Sequence, residues 1–255
     1  MSTIAVIPAR YGSTRFPGKP LADICGKPLI AHVIDRAREA ATVDEVVVAT
    51  DDGRIVEAVK ACDARAVMTS PHCPSGTDRI AEAIEDYPDA TIILNLQGDE
   101  PLMSPEVIDQ TVTALSVDMD SAVATAMIPI TCREDFESPH VVKVVCDQEG
   151  RALYFSRAPI PCLIRAEDAD LARFNPGDAG FWGYKHFGLY VYRREPLLEF
   201  VDLEPSRLEC TEKLEQLRFL ENGMQIRVVQ VEVDSIGVDT PEDLEKVRAI
   251  MKKRQ

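Results

Sequence analysis

The segment Pro8-Ala9-Arg10-Tyr11-Gly12-Ser13-Thr14-Arg15-Phe16-Pro17-Gly18-Lys19-Pro20 gathers three cations, Arg10, Arg15 and Lys19, with no acidic residue between them. A loop punctuated by glycine can aim backbone N–H groups at phosphate oxygens while basic side chains neutralise a polyphosphate. It is not a P-loop, because five residues separate Gly12 from Gly18-Lys19 and Pro20 stands where serine or threonine would ligate magnesium. Read alone, such a cluster describes a solvated surface as well as a site. Position decides between them: the loop follows the apolar run Ile4-Ala5-Val6-Ile7, a buried strand, and precedes Leu29, Ile30, Val33, Ile34 and Ala37, which recur at helical spacing behind Pro28. Asp99 is the second candidate. The apolar run Thr91 to Leu96 fits a central parallel strand and ends at Gln97-Gly98-Asp99-Glu100-Pro101. A carboxylate there is well placed to hold Mg²⁺ against phosphate oxygens, and a turn or capping role is its ordinary alternative.

The elements that must position these residues alternate strand-like and helix-like from end to end, with no repeat or linker. Val46 to Ala49 is a strand ending at Thr50-Asp51-Asp52, followed by a helical stretch from Ile55 to Cys62; Ala66 to Met68 is a strand, followed by a helix from Thr77 to Ile84. In open α/β sheets ligands bind at the carboxyl ends of strands, and Arg10, Asp51 and Asp99 stand at three such ends. After Ser121 to Ile130, the runs Val141 to Cys146 and Ala152 to Phe155 form a hairpin across Asp147-Gln148-Glu149-Gly150. Residues 158 to 184 read as a long loop or small lobe, Phe187 to Tyr192 and Ile226 to Val233 as strands, and Pro205 to Asn222 as one helix. Thr240-Pro241-Glu242-Asp243 opens a last helix with Thr240 as its cap. The expected fold is one α/β domain over residues 1–255, a Rossmann-like, mostly parallel twisted sheet with helices on both faces and a hairpin and lobe inserted at about 140–195.

Composition narrows the function. A net charge of −15 argues against a nucleic-acid partner, which needs clustered Lys and Arg, but leaves small anionic substrates open because they need only a local positive site. No apolar run is long enough to span a bilayer and Ile4 to Ile7 stops at Pro8 without a basic leader, so the expectation is a cytoplasmic protein without a membrane partner. Seven scattered cysteines without a CxxC pair argue against a disulfide framework or zinc cluster, and His72-Cys73 has no second pair at ligand spacing.

The first loop resembles the signature of the sugar-activating cytidylyltransferases, and the resemblance extends along the chain. Ser75-Gly76-Thr77-Asp78-Arg79, Asn95 to Pro101, Val142 to Val145, Ala152 to Arg157, Leu214 to Arg218 and Gly237 to Leu244 all follow, in order, the pattern of the branch acting on 3-deoxy-D-manno-octulosonate (Kdo). The resemblance implies transfer of CMP from CTP to Kdo, with Mg²⁺ as cofactor and a homodimer as the assembly. It implies that Asp99 and Asp239 hold the metal, although Asp239 alone could cap the last helix. It also implies that Ala9, Arg10, Ser13, Arg15 and Lys19 meet the triphosphate, and that Ser75, Gly76, Thr77, Arg79 and Gln97 hold cytosine and ribose. Arg79 by itself is equally a surface helix residue. For the sugar it points to Arg157, His186, Tyr190, Glu215 and Gln216; in isolation these read as a structural histidine, a strand core residue and a solvated helical turn as readily. Asp78 stands where the pattern has Glu, and residues 158 to 184 match nothing in it. Another acidic sugar, 8-amino-Kdo or a sialic-type acid, and a non-catalytic nucleotide-binding regulator are the alternatives.

Overall fold

The computed structural model describes residues 2–12, 16–162 and 181–253. Its frame is a nine-stranded sheet built on β1 (Thr3–Ala9). Alternate side chains of this strand enter opposite faces. Ala5, Ile7 and Ala9 pack into one apolar cluster and Ile4 and Val6 into another, so both faces of the sheet are covered.

From β1 the chain passes through α1 (Leu29–Glu39), β2 (Glu45–Thr50), α2 (Gly53–Lys60) and β3 (Arg65–Met68), with β2 pairing parallel to β1 and β3 parallel to β2. Ile30, Val33, Ile34, Ile55 and Val59 place α1 and α2 on the Ile7 face. The next helix, α3 (Gly76–Ala83), contributes Ile80 and Ala83 to the other face and returns the chain to β4 (Ile92–Asn95), which pairs parallel to the free side of β1. Connections therefore diverge on either side of β1, and the carboxyl ends of β1 and β4 flank a switch point where such sheets bind ligands.

The sheet then continues less regularly. Helix α4 (Pro105–Val117) leads to β5 (Val123–Ile130), the hairpin strands β6 (Lys143–Cys146) and β7 (Ala152–Ser156), and the long strand β8 (Gly183–Arg193). Strand β8 lies antiparallel between β4 and β5, so β4 is parallel to its neighbour on one side only. The sheet is mixed but mostly parallel, as expected. Helices α5 (Arg194–Val201), α6 (Arg207–Glu212) and α7 (Leu217–Glu221) precede β9 (Ile226–Gln230), which pairs parallel to β5, and α8 (Pro241–Lys252) closes the chain.

Two details matter for the site. The single helix expected over Pro205 to Asn222 is interrupted: Lys213 adopts φ 56°, ψ 47°, ending α6 before α7 begins. Helical periodicity continues through the break, and a lysine in the left-handed region gives no glycine-like signal of it. In β8, Phe187 stands opposite Ala126 but Tyr190 opposite Thr125, so two extra residues bulge out while the faces keep their parity.

Candidate active site

Gly98 has no side chain for a spatial reason: a Cβ there would lie 2.9 Å from the carbonyl oxygen of Pro8. The ends of β1 and β4 touch at this point, which brings Gln97 and Asp99 beside Ala9 and Arg10. Gly18, at φ 72°, receives the loop by donating its N–H to Tyr11 O at 3.0 Å and delivers Lys19 to the same place. The result is a cleft of about 530 Å³ lined by Ala9, Arg10, Lys19, Ser75, Gly76, Arg79, Gln97, Asp99 and Asp239 among others.

Each wall has a local cause. Ser75 caps α3, accepting from Thr77 N at 3.1 Å, while Asp78 Oδ2 accepts from Ser75 N at 3.0 Å. The Asp that departs from the family pattern is thus half of a capping box. Arg79 is 4% exposed, its guanidinium fixed by Asp51 Oδ2 at 3.0 Å and Thr69 Oγ1 at 2.5 Å. Opposite, Lys19 Nζ donates to Asp99 Oδ2 at 2.6 Å and Asp239 Oδ1 at 3.5 Å, so carboxylates 140 positions apart in sequence converge on one cation. Two backbone and side-chain links hold the second acid's loop in place: Val238 N donates to Asp99 O at 2.8 Å, and Ser235 Oγ to Glu100 Oε2 at 2.5 Å. Burial, reinforced by Asp99, Asp234 and Asp239, pushes the Glu100 carboxyl up to about 7.

The donor set suits Mg²⁺, a hard ion bound through one or two carboxylates plus phosphate oxygens and water. Among the described residues no group of three or more His, Cys, Asp or Glu could enclose a metal by itself.

The residues assigned to the sugar do not line this cleft. Glu215 is the nearest link to it, because Thr77 Oγ1 donates to its carboxylate. Gln216 is 5% exposed at the start of α7. Arg157 spends its guanidinium on backbone oxygens of Glu212, Pro139 and Lys213. His186 Nε2 lies 2.8 Å from Thr125 Oγ1, whose hydroxyl reaches Leu189 O at 2.7 Å across the β8 bulge. The neutral ring with a proton on Nε2 donates to Thr125, which can donate onward. Tyr190 packs against His186 with ring centroids 5.3 Å apart and stacks on Tyr192. Ser13 and Arg15 lie outside the described residues.

Desolvation lowers the His186 pKa to about 3 from 6.5. The unfolded chain therefore binds a proton between these values that the folded chain does not, and folding stability is lost as pH falls from 6.5 towards 3. The urea midpoint should drop less between pH 7 and pH 4.5 in His186→Gln than in wild type; equal drops would show that the ring is already solvated.

Residues 4–226 match the family model described as cytidylyltransferase. The chain belongs to the cytidylyltransferase family. The 3-deoxy-manno-octulosonate cytidylyltransferase of Geobacter metallireducens is 53% identical over 97% of this chain and 96% of its own length. That of Geobacter sulfurreducens is 52% identical over 97% and 98%. A CMP:2-keto-3-deoxy-manno-octonic acid synthetase solved in complex with CTP superposes with a TM-score of 0.91 at 43% identity, each chain covered completely. The 4-diphosphocytidyl-2C-methyl-D-erythritol synthase of Anaerococcus prevotii, at 15% identity and a TM-score of 0.61, shares the fold alone.

At and behind this cytidylyltransferase cleft stand residues for which the sequence offered no role. Asp51 had only its strand-end position, and Thr69 no signal at all, yet together they set Arg79. Asn95, 2% exposed in an apolar strand, accepts from Gln97 Nε2 at 2.8 Å; a lone amide in such a run was the available clue. Cys73 lines the cleft, but burial and Glu82 push its thiol up to about 11, so it is no nucleophile at neutral pH.

Proposed function

We propose that the protein transfers CMP from CTP to the anomeric hydroxyl of Kdo, giving CMP-Kdo and pyrophosphate for lipopolysaccharide assembly. The observation that carries this reading is the cleft at the β1–β4 switch point, where cations and paired acids converge in a chain matched over its full length to a CTP-complexed synthetase. The hydroxyl attacks the α-phosphorus in line and pyrophosphate leaves, so the protein's task is positioning and charge compensation.

Arg10, Arg15 and Lys19, with Ser13 and the Ala9 backbone, meet the triphosphate. The phosphates compete with Asp99 and Asp239 for the Lys19 ammonium, which leaves carboxylate oxygens for Mg²⁺. That ion supplies Lewis-acid charge neutralisation and makes a bound hydroxyl more acidic. Gln97, Ser75, Gly76 and Arg79 select cytosine and ribose, since a wrong base would strand buried polar groups at about 1–3 kcal/mol each. Glu215, Gln216, His186, Tyr190 and Arg157 form the sugar side. The enzyme works in the cytoplasm as a homodimer, with the β6–β7 hairpin supplying a two-fold contact; the lobe expected behind it falls largely outside the described residues.

Pyrophosphate release by the purified chain with CTP, Mg²⁺ and a panel of Kdo, 8-amino-Kdo and a sialic acid tests the reading. Kdo is expected to give the highest kcat/KM. Preference for another acid would replace the substrate, and tight CTP binding without turnover on any acid would make the chain a regulator.

A further inference from the structure

Thr77 sits between two regions that are far apart in sequence. As the second residue of α3 it helps form the nucleotide wall, yet it is 3% exposed and its hydroxyl faces away from the cleft to donate to Glu215, 138 positions later. Ser75, which does line the cleft, is a further polar neighbour of Glu215, while its own hydroxyl donates to Asp78 Oδ2 at 2.6 Å. The break at Lys213 makes this meeting possible, because α6 ends there and residues 214–216 turn in towards α3.

The contact belongs to a longer polar chain through an apolar layer. The fully buried Tyr192 hydroxyl has Thr77 and Asn95 as its polar neighbours, and Asn95 accepts from Gln97, again a cleft residue. The polar groups around Glu215 thus reach the nucleotide cleft at Ser75 and at Gln97. Little water reaches Glu215, whose pKa burial raises, so its orientation is set chiefly by the Thr77 hydroxyl. Buried polar groups with two or three fixed partners have few alternative arrangements, and a change at one member is passed to the next.

We infer that Thr77 is a positioning residue that sets the Glu215 carboxylate for the sugar and ties its placement to the nucleotide wall. This rests on the reading of Glu215 as a sugar ligand. Thr77 then makes no direct contact with cytosine or ribose, contrary to what the family pattern implies for it.

The test uses the full chain with CTP, Mg²⁺ and Kdo. Thr77→Val keeps the shape and removes the donor; loss of one hydrogen bond to a charged group predicts a Kdo KM raised about 10-fold or more. The CTP KM and the calorimetric affinity for CTP should stay within about twofold, and Thr77→Ser should restore the Kdo KM. In a double-mutant cycle, Thr77→Val should add nothing to Glu215→Gln. Equal weakening of CTP and Kdo would overturn the inference and return Thr77 to the nucleotide. If Glu215→Gln leaves the Kdo KM unchanged, the sugar assignment itself fails; if Glu215→Gln raises it and Thr77→Val does not, only the coupling fails. Should Thr77→Val not fold, Tyr192→Phe removes the neighbouring hydroxyl and carries the same test: a selective rise in Kdo KM supports the coupling, and a selective loss of CTP affinity refutes it.

Discussion

Asp99→Ala is expected to lower pyrophosphate release about 10³-fold, the scale seen when one preorganised electrostatic partner of a transition state is removed. Asp99 and Asp239 meet at the Lys19 ammonium, so in the proposed site both acids would face one Mg²⁺ ion, with Asp99 the better enclosed of the two. Stability should move little. The Lys19–Asp99 pair is partly exposed, with side chains 16% and 29% accessible, and such pairs contribute roughly 0–1 kcal/mol. Removing Asp99 also relieves the repulsion that helps push Glu100 up to about 7. A thermal midpoint near wild type together with abolished turnover is the expected pair of results. Turnover within tenfold of wild type under saturating Mg²⁺ would remove Asp99 from the metal site.

The largest effect on folding should come from Lys143→Met. Lys143 is completely buried in β6, and its ammonium donates to the backbone oxygens of Ser138, Val141 and Arg157 at 2.6–2.7 Å. Burial, helped by the Arg157 charge, holds its pKa below the usual lysine value. The Arg157 guanidinium closes on the same loop through Pro139 O. Methionine fills the volume but leaves three carbonyls without their charged partner, a loss on the order of 3–5 kcal/mol. Urea denaturation would report it as a shifted midpoint at unchanged slope. A midpoint within experimental error of wild type would mean that water or a rearranged loop replaces the ammonium. The variant should also weaken the sugar side before the nucleotide side, because His186 N donates to Val142 O within this segment.

Much of the cleft was legible because its parts sit at strand ends. The apolar runs ending at Arg10, Asp51 and Asp99 become β1, β2 and β4, and Gly18 marks the backbone position that delivers Lys19. Thr240, Pro241 and Asp243 cap α8 as their types suggest. What sequence could not supply was neighbourhood. A strand's periodicity encodes which face is buried and not which strand lies beside it, so the antiparallel β8 between β4 and β5 was invisible. Nor did the alternation in Val142 to Cys146 indicate that Lys143 points inward to bind carbonyls. The Lys213 turn that brings Glu215 to Thr77 leaves no mark in residue type, since lysine carries no preference for positive φ.

The place of β8 in the sheet has a consequence for synthesis. Among the described residues β5 pairs with β8 and β9, and one side of β4 belongs to β8, yet the ribosome makes both β4 and β5 long before residue 193 emerges. At about 5–20 residues per second, the nascent chain carries three unpaired apolar edges, one on β4 and two on β5, for several seconds. Those edges are templates for pairing with another unfinished copy, so yield in a heterologous host should depend on chaperone capacity and translation speed across residues 130–193 more than on the stability of the finished enzyme.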